Sequence, residues 1–263
     1  MWSMVTRTNV LIPIAAAAII VGIFGMLTFP TDVKLESVEF PIGTIKLDDK
    51  ILKTPAKRQM VLPTEALAKK VASEWGQQAE EIDPTIMPFT KSTNAALDKV
   101  SEQFEEVSAL LGEYGDTDLL YYRADSPLEL KKLQETGWDP IVKWAENTFK
   151  VRINCGTGIV YIPQNEQLLS EIQIKINDLN VFELTAFYDM VSITGSLILG
   201  LAIINGRLSA EEAYKLSRVD ELWQLEQWGE DEETQAVSNL KNAAILHSEE
   251  FFSLSGRTKS TIF

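Results

Sequence analysis

The feature that most constrains the fold of this chain is a long uncharged run near its N-terminus. No charged side chain occurs from Thr8 to Thr31, and residues 10–29 are almost entirely apolar. Twenty residues in an α-helix span about 30 Å, the thickness of a bilayer core. The run is not followed by the small residues of a signal-peptide cleavage site, and Arg7 alone is too little basic charge for a mitochondrial presequence. The sequence therefore predicts a retained transmembrane anchor over residues 1–31.

Basic residues are unequally distributed on the two sides of this predicted span. Arg7 precedes it, whereas Lys34, Lys46 and Lys50 follow it. Because Lys and Arg favour the cytoplasmic or matrix side of a membrane, we expect the main domain to face that side. The lipid bilayer would then be contacted through residues 10–29.

After the anchor, the hydrophobic pattern changes from strand-like to helical. Residues 33–40 and 44–52 alternate roughly between apolar and polar, and helical spacing begins after Thr64, an expected N-cap. We predict the α+β class. Its parts are an N-terminal transmembrane helix, a small antiparallel β-rich subdomain over residues 32–92 and a mainly α-helical domain over residues 93–263.

Two helical segments in the second half of the chain need separate mention. Gly137 is predicted to end one helix, and the pair Asp139-Pro140 to open the next. Met190 to Ile204 is an uncharged run of fifteen residues. It is too short to cross a bilayer, so we predict one buried central helix there.

The composition excludes several kinds of chemistry. One cysteine, Cys155, cannot form an internal disulfide, and one histidine, His247, cannot support a multi-histidine metal site. The phosphate-binding, dinucleotide-binding and nucleophile-elbow motifs are absent. A formal net charge of −14 opposes binding to nucleic acid. We predict a protein that is not an enzyme, without catalytic, cofactor or metal-binding residues, with a structural Cys155 and a surface His247.

The strongest polar feature is a cluster of carboxylates and tryptophans. Seven acidic residues and no basic ones lie between Asp220 and Glu233. One interpretation is a solvated helix face with structural tryptophans, and a carboxylate metal site is a weaker alternative. Another is a docking surface, in which aromatic anchors lie beside charges that attract a basic partner. The residues predicted to bind a partner are Asp220, Glu221, Trp223, Glu226 and Trp228.

Several sequence blocks resemble those of one protein family, and they occur in the same order. The stretch LSRVDELWQLEQWGED, residues 216–231, resembles the signature of the ATP-twelve chaperones, which are assembly factors for the catalytic head of F-type ATP synthase. The other blocks are residues 52–57, 67–75, 87–98, 116–123, 138–141 and 194–196. Together they cover about residues 44–233.

The resemblance implies a small β-rich N-terminal part, a helical C-terminal domain, no cofactor and no catalysis. Family members bind the unassembled α subunit and shield its subunit-facing surface until the β subunit replaces them. The family's sensitive acidic position falls at Asp220 and Glu221, and its sensitive tryptophan matches Trp75. We assign structural roles to Trp75, Trp138 and Asp139.

Two functions follow from this resemblance. The first is an assembly chaperone for the ATP synthase α subunit. The alternative arises because family members typically lack an anchor: the fold could be retained as a membrane-anchored structural subunit of an ATP synthase or respiratory complex, bound to other subunits. The expected location is the mitochondrial inner membrane with the main domain in the matrix, or else the cytoplasmic face of a bacterial membrane.

Overall fold

Helices make up most of the chain that the computed structural model describes, namely residues 33–36, 43–47, 50–79, 81–229 and 232–256. The ten α-helices of these ranges are α1 (Glu65–Gly76), α2 (Pro88–Ala95), α3 (Phe104–Tyr114), α4 (Leu128–Phe149), α5 (Glu166–Asn177), α6 (Val181–Thr194), α7 (Leu197–Ile204), α8 (Ala210–Ser217), α9 (Val219–Trp228) and α10 (Glu232–Leu254). A π-helical turn, Ala96–Val100, extends α2.

A small antiparallel sheet precedes α1. Its strands are β1 (Val33–Glu36), β2 (Gly43–Leu47), β3 (Lys50–Ile51) and β4 (Val61–Leu62). Strand β2 pairs with each of the other three. Ile45 of β2 and Leu62 of β4 are fully buried, and the sheet contacts α1. The predicted N-cap of α1 is confirmed, since the Thr64 side chain accepts a hydrogen bond from the Leu67 amide.

The fold class predicted from the sequence is wrong. The described chain is mostly helical with a small sheet region, because the strands have only two to five residues each. Among the described residues, no helix has the length and apolar character needed to cross a membrane. The predicted anchor, residues 1–31, lies outside the described residues.

Helices α6 and α7 form the centre of the helical region. Helix α6 packs against α2, α3, α7, α8 and α10, and every residue of α7 is buried. The single helix predicted over Met190 to Ile204 is buried, but it is two helices. Gly195 adopts a left-handed φ of 66° at the end of α6, and Ser196 caps α7 by accepting a hydrogen bond from the Leu199 amide.

The break between α6 and α7 is stabilised by a distant carboxylate. Asp118 is fully buried and accepts hydrogen bonds from the Ser196 hydroxyl at 2.8 Å and the Ile198 amide at 2.9 Å. Burial raises the pKa of Asp118 to about 6. The Ile198 amide belongs to the first turn of α7, where amides have no acceptor within the helix, so Asp118 supplies a second cap in addition to Ser196.

The predicted helix boundary at Asp139-Pro140 is also wrong, since α4 runs through Pro140 without a break. Trp138 and Ile141 are 1% and 3% exposed, and the Trp138 indole donates a 2.8 Å hydrogen bond to the carbonyl of Leu216. A Cβ at Gly137 would lie 2.9 Å from the Leu216 side chain, so glycine permits this close approach. Burial of these large side chains offsets the roughly 3 kcal/mol cost of an internal proline.

Residues at the end of α1 connect it to the core. Glu74 is buried and accepts hydrogen bonds at 2.7 Å from the amides of Phe89 and Thr90, in the first turn of α2. Desolvation raises the pKa of Glu74. Trp75 is half-buried and packs against the same core.

Candidate partner-binding surface

Helix α9 carries the five residues that the sequence predicts to bind a partner. A capping box between Ser209 and Glu212 starts α8, as its sequence pattern predicts. Arg218 then separates α8 from α9. None of the residues of α9 is fully buried, so the helix lies on the surface. We refer to its five predicted residues, Asp220, Glu221, Trp223, Glu226 and Trp228, as the acidic–aromatic surface.

Glu221 is paired within its own chain. Its carboxylate accepts two hydrogen bonds from the Arg218 guanidinium, at 2.8 and 2.9 Å. The same guanidinium donates to the Ser238 hydroxyl and lies 5.2 Å from the centre of the Tyr214 ring. The hydrogen bonds from Arg218 lower the pKa of Glu221. Glu221 is therefore ionised and held in one position at the corner between α8 and α9.

Asp220 points towards α4. The Gln134 side-chain amide donates a 2.6 Å hydrogen bond to Asp220 and accepts one from the Ala124 amide at 2.7 Å. The backbone carbonyl of Gln134 accepts from Arg123, which also forms a 2.8 Å ion pair with Asp139. Asp220 is thus one end of a network that links α9 to α4, a position that favours a structural role.

The two tryptophans of α9 contact each other. Their ring centres are 5.9 Å apart and their planes are nearly perpendicular. Trp223 is half-buried, whereas Trp228 is 76% exposed and ends the helix. Glu226 is exposed between them in sequence. The edge of one ring therefore contacts the face of the other, which is a favourable arrangement for an aromatic pair.

A groove of about 510 Å³ adjoins α9, and we call it the α9 groove. Glu221 and Arg218 line it on one side, and Glu233 and Lys241 of α10 on another. The end of α6, residues 194–195, also lines it. Two blocks that are far apart in sequence, 194–196 and 216–231, thus meet here. Sequence reasoning missed the contribution of α10, because no local pattern places its first turns beside α6.

Two residues with potential chemistry lie elsewhere. The prediction of a surface His247 is wrong: the ring is half-buried, its centre lies 4.7 Å from that of Phe89, and Nε2 is 2.9 Å from the Ser92 hydroxyl oxygen. Cys155 is exposed, and its sulfur lies 3.9 Å from the carbonyl oxygen of Leu120. Within the described ranges, no group of three or more histidine, cysteine, aspartate or glutamate side chains could hold a metal ion.

Comparisons with known proteins agree with one another. The family model for the ATP12 chaperone protein matches residues 29–146. The crystal structure of Atp12 from Paracoccus denitrificans is 44% identical, with a TM-score of 0.83, over 86% of this chain and 97% of that one. A mutant of the same P. denitrificans protein gives 43% identity and a TM-score of 0.83, over 87% and 97% of the two chains.

A third relative is the Schizosaccharomyces pombe protein named "Protein atp12, mitochondrial". It is 29% identical over 212 residues, which are 75% of this chain and 73% of the relative. The chain belongs to the ATP12 chaperone family.

Membership of the ATP12 family confirms the resemblance predicted from the sequence blocks. The family is named as a chaperone family, so the prediction that the protein is not an enzyme is also confirmed. In this ATP12-family protein, the two blocks that meet at the α9 groove lie outside the 29–146 range of the family model.

Proposed function

We propose that this protein is an assembly chaperone that binds the unassembled α subunit of the ATP synthase catalytic head through the acidic–aromatic surface. The proposal rests chiefly on Trp228, which is 76% exposed beside the carboxylate-rich face of α9. A large exposed indole is the kind of anchor on which interface binding energy concentrates. The mitochondrial name of the S. pombe relative supports a mitochondrial location.

The residues of this surface would have unequal roles. Trp228 would supply apolar contact area. The exposed Glu226 would attract basic side chains of the α subunit, which is the client of the proposed chaperone. Glu221 is paired with Arg218. An arginine of the client would therefore have to share the Glu221 carboxylate with Arg218 or displace Arg218 from it. Among the five residues, Asp220 would contribute to binding indirectly, because its hydrogen bond to Gln134 holds α9 against α4.

The test is titration of the purified α subunit against variants of the full chain. Trp228→Ala should weaken binding about tenfold or more, because it removes the most exposed aromatic anchor of the surface. Glu226→Lys should weaken binding mainly at low salt, because dissolved ions screen the interactions of an exposed charge at high salt.

Glu113→Lys is the matched control, since Glu113 is exposed on α3 and lies outside the acidic–aromatic surface. It should bind as the wild type does. If both α9 variants retain full affinity at every salt concentration, the client contacts another surface. A chaperone should also be absent from the purified mature ATP synthase.

A further inference from the structure

A second groove lies along α4, and Arg123 and Asp139 of the Asp220 network are part of its lining. It has a volume of about 940 Å³, and strand β6 (Gly156–Thr157), which pairs in parallel with β5 (Tyr122–Arg123), forms one wall. We call it the α4 groove. Five basic and three acidic side chains line it, whereas the whole chain has 24 basic and 38 acidic residues. The α4 groove is therefore a locally basic region on an acidic protein.

The basic side chains of the α4 groove are available for binding. Arg123 is 9% exposed and paired with Asp139, so these two charges largely cancel. Within the ranges that the structure describes, the remaining four form no ion pair. These four are Lys131, Lys143, Lys150 and Arg152. Unpaired cations on a strongly acidic molecule would attract a local negative charge.

An apolar tip follows directly from the wall of this groove. After Thr157, Ile159 is 81% exposed, Val160 75% and Tyr161 55%. The base of the loop is closed by Asn154 and Gln164, which exchange hydrogen bonds of 3.0 and 2.8 Å. Exposing three consecutive apolar side chains to water is unfavourable. Because the base of the loop is already closed, the loop would lose little conformational entropy on binding a partner. Both properties are typical of a binding element.

We propose that the α4 groove is a second contact for the client protein and binds an extended acidic segment of it, with apolar side chains of that segment against the tip at 159–161. This inference rests on the proposed chaperone function. The exposed cations would pair with the segment's carboxylates, and Ile159 and Val160 would cover its apolar residues. Contacts through the acidic–aromatic surface and the α4 groove would let one chaperone hold a client by two separate surfaces.

The lining favours a peptide over a polyanion. Glu135 and Glu146 lie among the cations, and these carboxylates would repel the continuous phosphate charge of a nucleic acid. A peptide can place its acidic residues beside the lysines and other residues beside the glutamates. The adjoining apolar tip also has no role in binding free phosphate.

The experiment compares charge-reversed variants in titrations with the purified α subunit. The test variant is Lys143→Glu combined with Arg152→Glu, since both side chains are exposed and line the groove. Lys150 stays unchanged because it ends α4 with a left-handed φ of 56°. The control is Lys132→Glu, on the same helix, exposed and outside the lining. A second variant, Ile159→Ser with Val160→Ser, removes the apolar tip.

We expect the charge-reversed pair to weaken binding about tenfold at low salt, and less at high salt. The tip variant should weaken it about tenfold at any salt concentration. Wild-type binding should also slow hydrogen exchange at the amides of residues 154–162. Circular dichroism and thermal unfolding check that the variants fold.

The possible failures are distinguishable. If the wild type does not bind the α subunit, the proposed function is wrong. If the wild type binds and both groove variants bind equally well, or Lys132→Glu weakens binding as much as the charge-reversed pair, the α4 groove is not a client contact. Competition by millimolar inorganic phosphate or nucleotide would make it a general anion site and would also overturn the inference.

Discussion

The Gln134 side chain donates a 2.6 Å hydrogen bond to Asp220, and this bond joins α4 to the first turn of α9. The neighbouring Glu221 bonds to Arg218 instead. The two adjacent carboxylates therefore have different hydrogen-bond partners: Asp220 is bonded to another helix, and Glu221 to the residue that precedes its own helix. This difference decides which substitutions on α9 report on binding and which report on folding.

Reversing the charge at Asp220 should destabilise the domain. In Asp220→Lys an ammonium group would face the Gln134 amide donor at a half-buried position, and we expect the free energy of unfolding to fall by about 1–3 kcal/mol. Glu226→Lys, at an exposed position of the same helix, should change it by less than about 0.5 kcal/mol. Urea denaturation monitored by circular dichroism measures both. Equal stability of the two variants would show that the Gln134–Asp220 bond contributes little.

Two tryptophans provide a matched pair for the core. Trp138 is 1% exposed and hydrogen-bonded, so Trp138→Ala should cost about 3–5 kcal/mol. Trp75 is half-buried, so Trp75→Ala should cost less, about 2–3 kcal/mol. Chemical denaturation of the purified variants gives both values. A Trp75→Ala variant of unchanged stability that no longer binds the client would make Trp75 a contact residue.

The buried Glu74 gives a test of long-range helix capping. Glu74→Ala would leave the amides of Phe89 and Thr90 without their acceptor, at a cost of about 2–4 kcal/mol. Glu65→Ala on the same helix removes only an exposed pair with Lys69 and should cost less than about 1 kcal/mol. Thermal unfolding of both variants provides the comparison. Similar losses in the two would argue against capping by Glu74.

The only histidine of the sequence makes its titration easy to observe. Desolvation lowers the pKa of His247 from 6.5 to about 4. Because the unfolded chain binds the proton more tightly, this contribution to stability is present above pH 6.5 and is lost as the pH falls to 4. Its size is about 3 kcal/mol, because a tenfold difference in proton affinity corresponds to about 1.4 kcal/mol.

The checks for His247 are an NMR titration and a stability profile. The single imidazole resonance of the folded protein should titrate near pH 4. The variant His247→Gln should lack the corresponding part of the loss of stability between pH 6.5 and 4. A resonance that titrates near 6.5 would place the ring in water and contradict its position beside Phe89.

Short-range features of this protein follow from its sequence. The N-cap at Thr64 and the capping box of Ser209 and Glu212 depend on residues three apart, so the pattern predicts them. Family membership likewise follows from ordered blocks, most specifically residues 216–231. Residues 10–29 predict an anchor by the same local reasoning, but they lie outside the described residues.

The tertiary structure decided the features that depend on distant partners. Helix α4 continues through Pro140 because Trp138 and Ile141 reach the core, and α7 is capped by Asp118, which is 80 residues from Ile198. Asp220 bonds to a residue 86 positions away. The α4 groove is likewise lined by residues of α4 and β6, which are separate in sequence. Sequence spacing determines which residues share one helix face, but only packing determines which charges face each other across helices, because those distances depend on the whole fold.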